Sequence, residues 1–184
     1  AYIRWGKECL QQFNGMFALA IWDNLKKELF IARDRLGIKP LYYFQKNELF
    51  LFSSELRALI SSDCIPRKID KTSLADYLRY QTVHAPSTIV EDVKLLFPGQ
   101  CMKITSSEIE IENYWKLNPK NNESHKEKKY ESICKDVHKL LQESVERRLI
   151  ADVPFGAFLS GGIDSSAIVA LMSQTSSKKI KTFS

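Results

Sequence analysis

Short apolar runs alternate with polar turns through the first half of the chain. Each run has the length of a buried strand and is too short for a helix. Polar residues such as Asp23 and Asn24 separate neighbouring runs, so the pattern predicts two β-hairpins. Because the runs are apolar on both faces, we expect all four strands to be covered on both sides, as in sheets packed between helices. The predicted strands are residues 16–22, 29–33, 41–44 and 49–52.

Helical patterns flank these hairpins. Residues 2–12 are typical of the end of a helix, and residues 74–80 predict another. Asp70 and Thr72 are both candidate caps for the second helix, because either side chain can accept from a free backbone N–H. The remaining predicted elements are a short helix over 54–60, a loop and turn marked by Pro86 and Pro98-Gly99, and a last hairpin over 100–105 and 109–114.

The hydrophobic pattern changes after residue 129. Apolar residues then recur at intervals of three and four, which predicts an amphipathic helix. They are Ile133, Val137, Leu140, Leu141, Val145 and Leu149. A short strand over 155–159, a glycine turn, a helix over 165–174 and a strand beginning in 179–183 follow. This order is typical of a parallel α/β sheet.

The stretch 116–129 holds almost nothing that could be buried, and we interpret it as a linker. The chain is therefore predicted to have three parts, residues 1–115, the linker 116–129 and residues 130–184.

Composition excludes several classes of protein. The 184 residues are 44% hydrophobic and 27% charged, which is ordinary for a globular domain and unlike a disordered protein. The net charge is only +5, and the sequence lacks the dense basic stripe that nucleic-acid binders usually have. The least charged stretch, 153–177, has a Ser-Gly centre that is too polar for lipid. We therefore expect no nucleic-acid partner and no membrane partner.

The cysteines and histidines give no convincing metal site. The four cysteines lie far apart and form no Cys-x-x-Cys pair, so they match neither a zinc motif nor a secreted disulfide framework. Cys134 and His138 stand four apart on a predicted helix, but two ligands without a second pair make a weak case. His84 and His125 fall in predicted loops without a partner. The cysteine usage favours a reduced, cytoplasmic protein.

The most informative stretch is a loop of glycine and serine, Ser160-Gly161-Gly162-Ile163-Asp164-Ser165-Ser166, called the glycine–serine loop below. It lies between a predicted strand and a predicted helix, whose free N–H groups and dipole favour an anion. Its two glycines allow a tight turn and the close approach of a ligand. The hydroxyls can donate to phosphate oxygens, and Asp164 can cap the helix or hold Mg²⁺ against a polyphosphate. We interpret the loop as a phosphate-binding loop rather than a structural turn.

Other known loops fit this stretch poorly. The dinucleotide pattern G-x-G-x-x-G is absent, and so is the serine-hydrolase pattern G-x-S-x-G. Gly156 and Gly161 have the glycine spacing of a P-loop, but Gly162-Ile163 follows where that motif has Lys-Ser/Thr. Without that lysine, a kinase or GTPase is disfavoured.

These motifs resemble a known family. The glycine–serine loop is similar to the pyrophosphate loop of the N-type ATP pyrophosphatases, and the preceding run DVPFGAFL resembles glutamine-hydrolysing asparagine synthetases. Two segments of the first half, FNGMFALAIWD at 13–23 and ARDRLGIKPLYY at 32–43, resemble the glutaminase half of that family. Ser54-Glu55 with Ala58-Leu59, and Pro98-Gly99 before a strand, are similar to it as well. The matches keep the family's order and span nearly the whole chain apart from the linker.

The resemblance implies two partial folds and one reaction. Residues 1–115 would be an α+β fold, part of the four-layer sandwich of N-terminal-nucleophile (Ntn) amidotransferases. Residues 130–184 would begin an α/β parallel sheet like that of the adenine nucleotide α-hydrolases. The reaction implied is the ATP-dependent conversion of aspartate to asparagine, with ammonia from glutamine and release of AMP and pyrophosphate.

The resemblance also implies a ligand set. ATP and Mg²⁺ are the expected cofactors, and glutamine, aspartate and ATP are the expected small-molecule partners. We expect a homodimer in the full-length protein. The expected ATP- and pyrophosphate-binding residues are Leu159, Ser160, Gly161, Gly162, Asp164, Ser165 and Ser166, with Mg²⁺ reaching Asp164 through the pyrophosphate.

The motif Arg33-Asp34-Arg35 has a simpler interpretation than substrate binding. We expect these residues to form ion pairs and turn contacts that fix the loop at Gly37. Cys101 is expected to be a strand residue.

The glutaminase nucleophile of the family has no counterpart here. The family uses an N-terminal cysteine whose α-amine acts as base, whereas this sequence starts with Ala1 and Cys9 is internal. We therefore assign no catalytic residue within the chain and expect it to be a segment of a longer protein.

The 184-residue chain alone is accordingly expected to release no glutamate from glutamine above a heat-denatured control. A glutamate assay on the purified chain checks this, and clear turnover would contradict the expectation.

Two other functions stay open on the sequence. One is an amidotransferase of the same kind that acts on a different acceptor. The other is a non-catalytic nucleotide-binding relative that has lost the cysteine. A Met-Cys-Gly start in the upstream reading frame would distinguish the glutaminase from the second alternative.

Overall fold

The computed structural model describes residues 1–118, 128–176 and 179–184. The chain divides into two compact units, Ala1–Pro119 and Lys120–Ser184. Most of the predicted linker, residues 119–127, lies outside the described residues. Within those described ranges, no helix combines the length and the apolar character needed to cross a bilayer.

Two antiparallel sheets form the centre of the first unit. Its strands are β1 (Ala18–Asp23), β2 (Glu28–Arg33), β3 (Tyr42–Lys46), β4 (Leu49–Ser53), β5 (Val93–Leu95), β6 (Gln100–Ile104) and β7 (Ile109–Asn113). Its helices are α1 (Tyr2–Trp5), α2 (Cys9–Gln12), α3 (Leu56–Ser61) and α4 (Lys71–Tyr80), with a 3₁₀ turn over Gly6–Glu8. The first sheet has the order β1-β2-β6-β7, and the second has the order β4-β3-β5.

The two sheets stack face to face with helices outside them. Successive residues of a strand point to opposite faces, so each sheet gives one face to the space between the sheets and one to a helix. Ile31 packs between the sheets, whereas its neighbour Phe30 packs on Leu10 of α2. On the far side of the second sheet, Phe44 packs on Leu59 of α3. The resulting helix–sheet–sheet–helix order agrees with the predicted α+β class.

The predicted hairpins are confirmed, but one expectation about them is wrong. Antiparallel pairing joins β1 to β2, β3 to β4 and β6 to β7. We expected every apolar strand to be covered on both sides, yet Trp22 of β1 is 58% exposed and Phe52 of β4 is 39% exposed. These two strands lie at the edges of their sheets, so they lack the cover that the inner strands β2 and β3 receive.

Three local predictions are refined by the structure. The predicted loop between Pro86 and Pro98 contains β5, which pairs with β3 and is too short to show an alternating pattern. Of the two candidate caps of α4, Asp70 is the cap, because its carboxylate accepts from the N–H of Ser73 at 2.7 Å. The predicted helix over 54–60 begins at Leu56.

Gly99 is required by a close approach of the backbone. Its φ is +68°, and a Cβ atom there would collide with the carbonyl oxygen of Trp115. Its N–H donates to the carbonyl of Asp34, and its carbonyl accepts from the N–H of Tyr114, both at 2.9 Å. The hydrogen bonds of Gly99 therefore connect the turn before β6 to the residue that follows β7.

The change Gly99→Ala is expected to lower the free energy of unfolding by about 3 kcal/mol, because left-handed strain and a backbone collision act together. Gly6→Ala is the matched control, since Gly6 has φ +55° and, its chain neighbours apart, no atom in the described part of the protein lies within 4 Å of its Cβ position. The control has backbone strain without a collision, and its φ of +55° with ψ of −138° is expected to cost an alanine about 1–2 kcal/mol. Urea unfolding followed by tryptophan fluorescence compares the two variants, and equal losses would contradict the collision.

The second unit contains α5 (Tyr130–Arg148), β8 (Gly156–Phe158), α6 (Ile163–Thr175) and β9 (Lys181–Phe183). Strands β8 and β9 pair in parallel, with Ala157 opposite Thr182. Parallel neighbours need a crossover connection, and α6 provides it. The predicted order of helix, strand, loop, helix and strand is confirmed.

The apolar stripe predicted on α5 is only partly a packing surface. Val145 is buried against Leu171 and Met172 of α6. Nearer the start of α5, Val137 and Leu140 are 57% and 66% exposed. The periodicity therefore identifies the helix, while the buried contact is confined to its last turns.

Candidate functional site

The glycine–serine loop connects β8 to α6. The N–H of Leu159 donates to the carbonyl of Phe183 at 2.8 Å, which extends the pairing with β9 up to the loop. Gly161 then has φ +80°, a left-handed conformation that favours glycine. Gly162 returns to an extended conformation, and α6 begins at Ile163. The sequence thus folds here into the strand, glycine turn and helix that the motif predicts.

The start of α6 offers backbone donors to a ligand. Gly162 is the N-cap residue and has no side chain with which to accept a hydrogen bond. The first backbone bond of the helix runs from the N–H of Ser166 to the carbonyl of Gly162 at 3.1 Å. Among the described residues, no acceptor reaches the N–H groups of 163–165. These groups and the positive end of the helix dipole can therefore bind an anion.

Asp164 does not cap the helix, which corrects one of its two predicted roles. It lies in the first turn of α6, one residue after the helix begins, because Gly162 already occupies the cap position. A carboxylate in the first turn still interacts favourably with the helix dipole. Its second predicted role, holding Mg²⁺, stays a prediction.

The hydroxyls of the loop form a short chain of hydrogen bonds. Ser165 Oγ donates to the carbonyl of Gly162 at 3.1 Å, and the Oγ atoms of Ser160 and Ser165 lie 3.1 Å apart. Since Ser165 has one hydroxyl proton and uses it on Gly162, Ser160 is the donor between the two serines. Apart from the two neighbouring residues, no atom of the described residues lies within 4 Å of the Cβ position of Gly161. A ligand can therefore reach the backbone of the loop directly.

The described residues contain no cluster of side chains that could hold a metal ion by itself. Across the described ranges, no three His, Cys, Asp or Glu side chains are grouped so that they could hold an ion. Cys134 and His138 lie one turn apart on α5, without a third ligand in that part of the protein. Mg²⁺ needs about six oxygen ligands. An ion at Asp164 would therefore take most of its ligands from phosphate oxygens and water.

In the first unit, a buried carboxylate fixes the turn after β2. The Asp34 side chain accepts from the N–H groups of Leu36, Ile38 and Lys39 at 3.1, 3.0 and 2.9 Å. Asp34 is 2% exposed. Burial alone would raise the pKa of this carboxyl, but the backbone donors outweigh burial and hold its pKa below the ordinary value. Asp34 is therefore ionised and structural.

Arg33 braces the same turn from the other side. Its guanidinium donates to the carbonyls of Gly37, Lys39 and Leu96 at 2.6, 2.7 and 2.6 Å. Burial lowers the pKa of Arg33. The predicted turn contacts at Gly37 are confirmed. The predicted ion pairs are not: the salt bridges of the described residues involve none of 33–35, because the charged groups of Arg33 and Asp34 face the backbone.

The buried cysteines are unsuited to nucleophilic catalysis. Cys9 lies in α2 and is fully buried, and burial raises the pKa of its thiol. Cys101 lies in β6 as predicted, and burial together with Glu112 raises the pKa of its thiol to about 12. Reactive cysteines have a lowered pKa and are accessible. These positions support the expectation that the glutaminase nucleophile is not among them.

Two long-range hydrogen bonds of Tyr114 were not predicted from the sequence. The hydroxyl of Tyr114 donates to the carbonyl of Arg33 at 2.8 Å, and Gln11 Nε2 donates to the carbonyl of Tyr114 at 2.9 Å. These partners are 81 and 103 residues apart, and no local pattern identifies them.

The predicted isolation of His84 is wrong. Its ring packs edge-on against Tyr80 with centroids 5.2 Å apart, and its Nδ1 lies 3.8 Å from Asp76 Oδ2, because the chain changes direction at Gln81, after the end of α4. His125 lies outside the described residues.

Comparison with protein families gives two matches. A family model described as a glutamine amidotransferase domain matches residues 1–115, which is more than half of the chain. A second model, described as asparagine synthase, matches residues 136–184 and includes the glycine–serine loop. The first match defines the class of the chain as a glutamine amidotransferase domain, and the second shows that its last part is similar to asparagine synthases. The chain belongs to the glutamine amidotransferase domain family.

Curated relatives extend the similarity over both units. Asparagine synthetase [glutamine-hydrolyzing] 3 of Bacillus subtilis is 36% identical over 172 residues, covering 93% of this chain and 27% of the relative. Putative asparagine synthetase [glutamine-hydrolyzing] 2 of Methanocaldococcus jannaschii is 37% identical over 188 residues, covering 100% of this chain and 36% of the relative. Amidase chyE of Penicillium rubens is 34% identical over 173 residues, covering 93% of this chain and 25% of the relative.

The chain thus spans between a quarter and just over a third of the length of these relatives. Its resemblance to glutamine-hydrolysing asparagine synthetases is confirmed.

Proposed function

We propose that the glycine–serine loop binds the pyrophosphate part of ATP. The observation that carries this proposal is the open first turn of α6, with Gly162 as a side-chain-free cap and Gly161 at φ +80°. It lies in the segment that matches the asparagine synthase family. The free N–H groups of 163–165 and the helix dipole supply positive potential for a phosphate. The open space at Gly161 lets that phosphate contact the backbone.

Each predicted residue has a definite task in this proposal. The hydroxyls of Ser160, Ser165 and Ser166 donate to phosphate oxygens, so the bonds of Ser165 to Gly162 and of Ser160 to Ser165 are exchanged for bonds to the ligand. The backbone at Leu159, held by its bond to Phe183, contacts the adenosine part. Asp164 would hold Mg²⁺ against the pyrophosphate. When bound, that ion would neutralise the negative charge that grows on the departing group.

The proposal extends to the fold and domains. Residues 1–115 belong to an Ntn-type glutaminase domain, and residues 130–184 begin a sheet of the adenine nucleotide α-hydrolase type, with the linker 116–129 between them. The parallel pairing of β8 with β9 through α6 supports the second assignment. The antiparallel sheets between helices support the first.

For the full-length protein we infer glutamine-dependent asparagine synthesis. Glutamine hydrolysis in one domain supplies ammonia. ATP adenylates the side-chain carboxylate of aspartate with release of pyrophosphate, and ammonia displaces AMP to give asparagine. The names of the Bacillus and Methanocaldococcus relatives support this reaction.

Product analysis tests this reaction. The full-length protein that carries this chain is incubated with glutamine, aspartate and ATP, and nucleotide products are separated. AMP and pyrophosphate are expected in amounts equal to asparagine, and omission of aspartate should abolish both. Formation of ADP and phosphate would contradict the proposal.

A second candidate is an amidotransferase with a different acceptor. The relative from Penicillium is named an amidase rather than an asparagine synthetase, although it matches 93% of this chain at 34% identity. Exchange of pyrophosphate into ATP that needs another carboxylate instead of aspartate would favour this candidate.

The proposed partners of the full-length protein are glutamine, aspartate and ATP, with Mg²⁺ as the metal. We propose a cytoplasmic location and a homodimer, and light scattering after size exclusion measures the latter.

A further inference from the structure

We draw no further inference here: the strongest candidate, the apolar groove between α4 and β5 in the first unit, is an unpartnered surface, and nothing in the structure shows what covers it.

Discussion

Replacing Asp34 with alanine is expected to destabilise the first unit by about 3 kcal/mol, since buried hydrogen-bond donors left unpaired cost about 1–3 kcal/mol each. The change removes the acceptor of three backbone N–H groups, those of Leu36, Ile38 and Lys39. Leu36 and Ile38 are themselves exposed, so water compensates part of the loss at their N–H groups. A loss of this size is a large part of the stability of a typical domain, which is about 5–15 kcal/mol.

Tryptophan fluorescence during urea unfolding measures this effect in the 184-residue chain. All three tryptophans, Trp5, Trp22 and Trp115, lie in the first unit, so the signal reports that unit alone. Asp76→Ala is the matched control, because Asp76 is half-buried on α4, with 40% of its side chain exposed, and its only ion pair in the described residues is a 3.8 Å contact with His84. The control is expected to change stability by less than about 0.5 kcal/mol. Equal losses in the two variants would contradict the role of Asp34.

The stability difference between the wild-type chain and Asp34→Ala is expected to depend on pH. The pKa of Asp34 is lowered in the folded state, so its contribution is fully present above the unfolded pKa of about 4 and is lost as the pH falls through the folded pKa. The stability difference between the wild-type chain and Asp34→Ala should therefore narrow as the pH falls from 7 to about 3. Other carboxylates titrate in both proteins and cancel in this difference. A constant difference would show that Asp34 acts through packing rather than charge.

Changes in the glycine–serine loop are expected to have the largest effect on activity. In the full-length protein that carries this chain, Gly161→Val and Asp164→Asn should each reduce exchange of pyrophosphate into ATP by at least about 100-fold, the scale set by loss of one transition-state contact. Gly161→Val places a β-branched side chain at φ +80°, in the space proposed for the phosphate. Asp164→Asn keeps the size of the side chain and removes the charge that would hold Mg²⁺.

Two changes elsewhere serve as matched controls for these variants. Gly6→Val repeats the glycine-to-valine change at a residue that also has a positive φ and open space around it. Asp136→Asn repeats the loss of one exposed carboxylate on a helix of the second unit. Neither control is expected to alter pyrophosphate exchange beyond about twofold, since neither residue lies in the loop. Loss of exchange in a control as large as in its loop counterpart would contradict a specific role for the loop.

Local structure was predictable wherever neighbouring residues determine it. The hairpins follow from apolar runs joined by short polar turns. The sequence limited the cap of α4 to Asp70 or Thr72, and the structure selects Asp70. The glycine–serine loop was predictable for the same reason, because its strand end, glycine turn and helix start are contiguous. The start of α6 at Ile163 rather than Ser165 changes only the assignment of the cap, which passes from Asp164 to Gly162.

Features that depend on distant partners were not predictable. Arg33 reaches the carbonyl of Leu96, 63 residues away, and Tyr114 reaches back to Arg33 across 81 residues. The exposure of Trp22 depends on the strand order of the sheet, which apolar runs do not specify. In the same way, the periodicity of α5 indicates a helix but does not say that only its last turns are buried. A single sequence carries no direct signal for such contacts.

The most direct test of the proposed pyrophosphate loop is the ratio of asparagine formation to glutamine hydrolysis in the full-length protein. Gly161→Val, Asp164→Asn and their two controls are compared with wild type at temperatures of equal fractional stability, which removes general loss of folding from the comparison. The ratio is expected to fall by at least about 100-fold in both loop variants and to stay unchanged in both controls, because we propose that glutamine is hydrolysed in the other domain. An unchanged ratio in both loop variants would contradict the assignment of the loop to ATP.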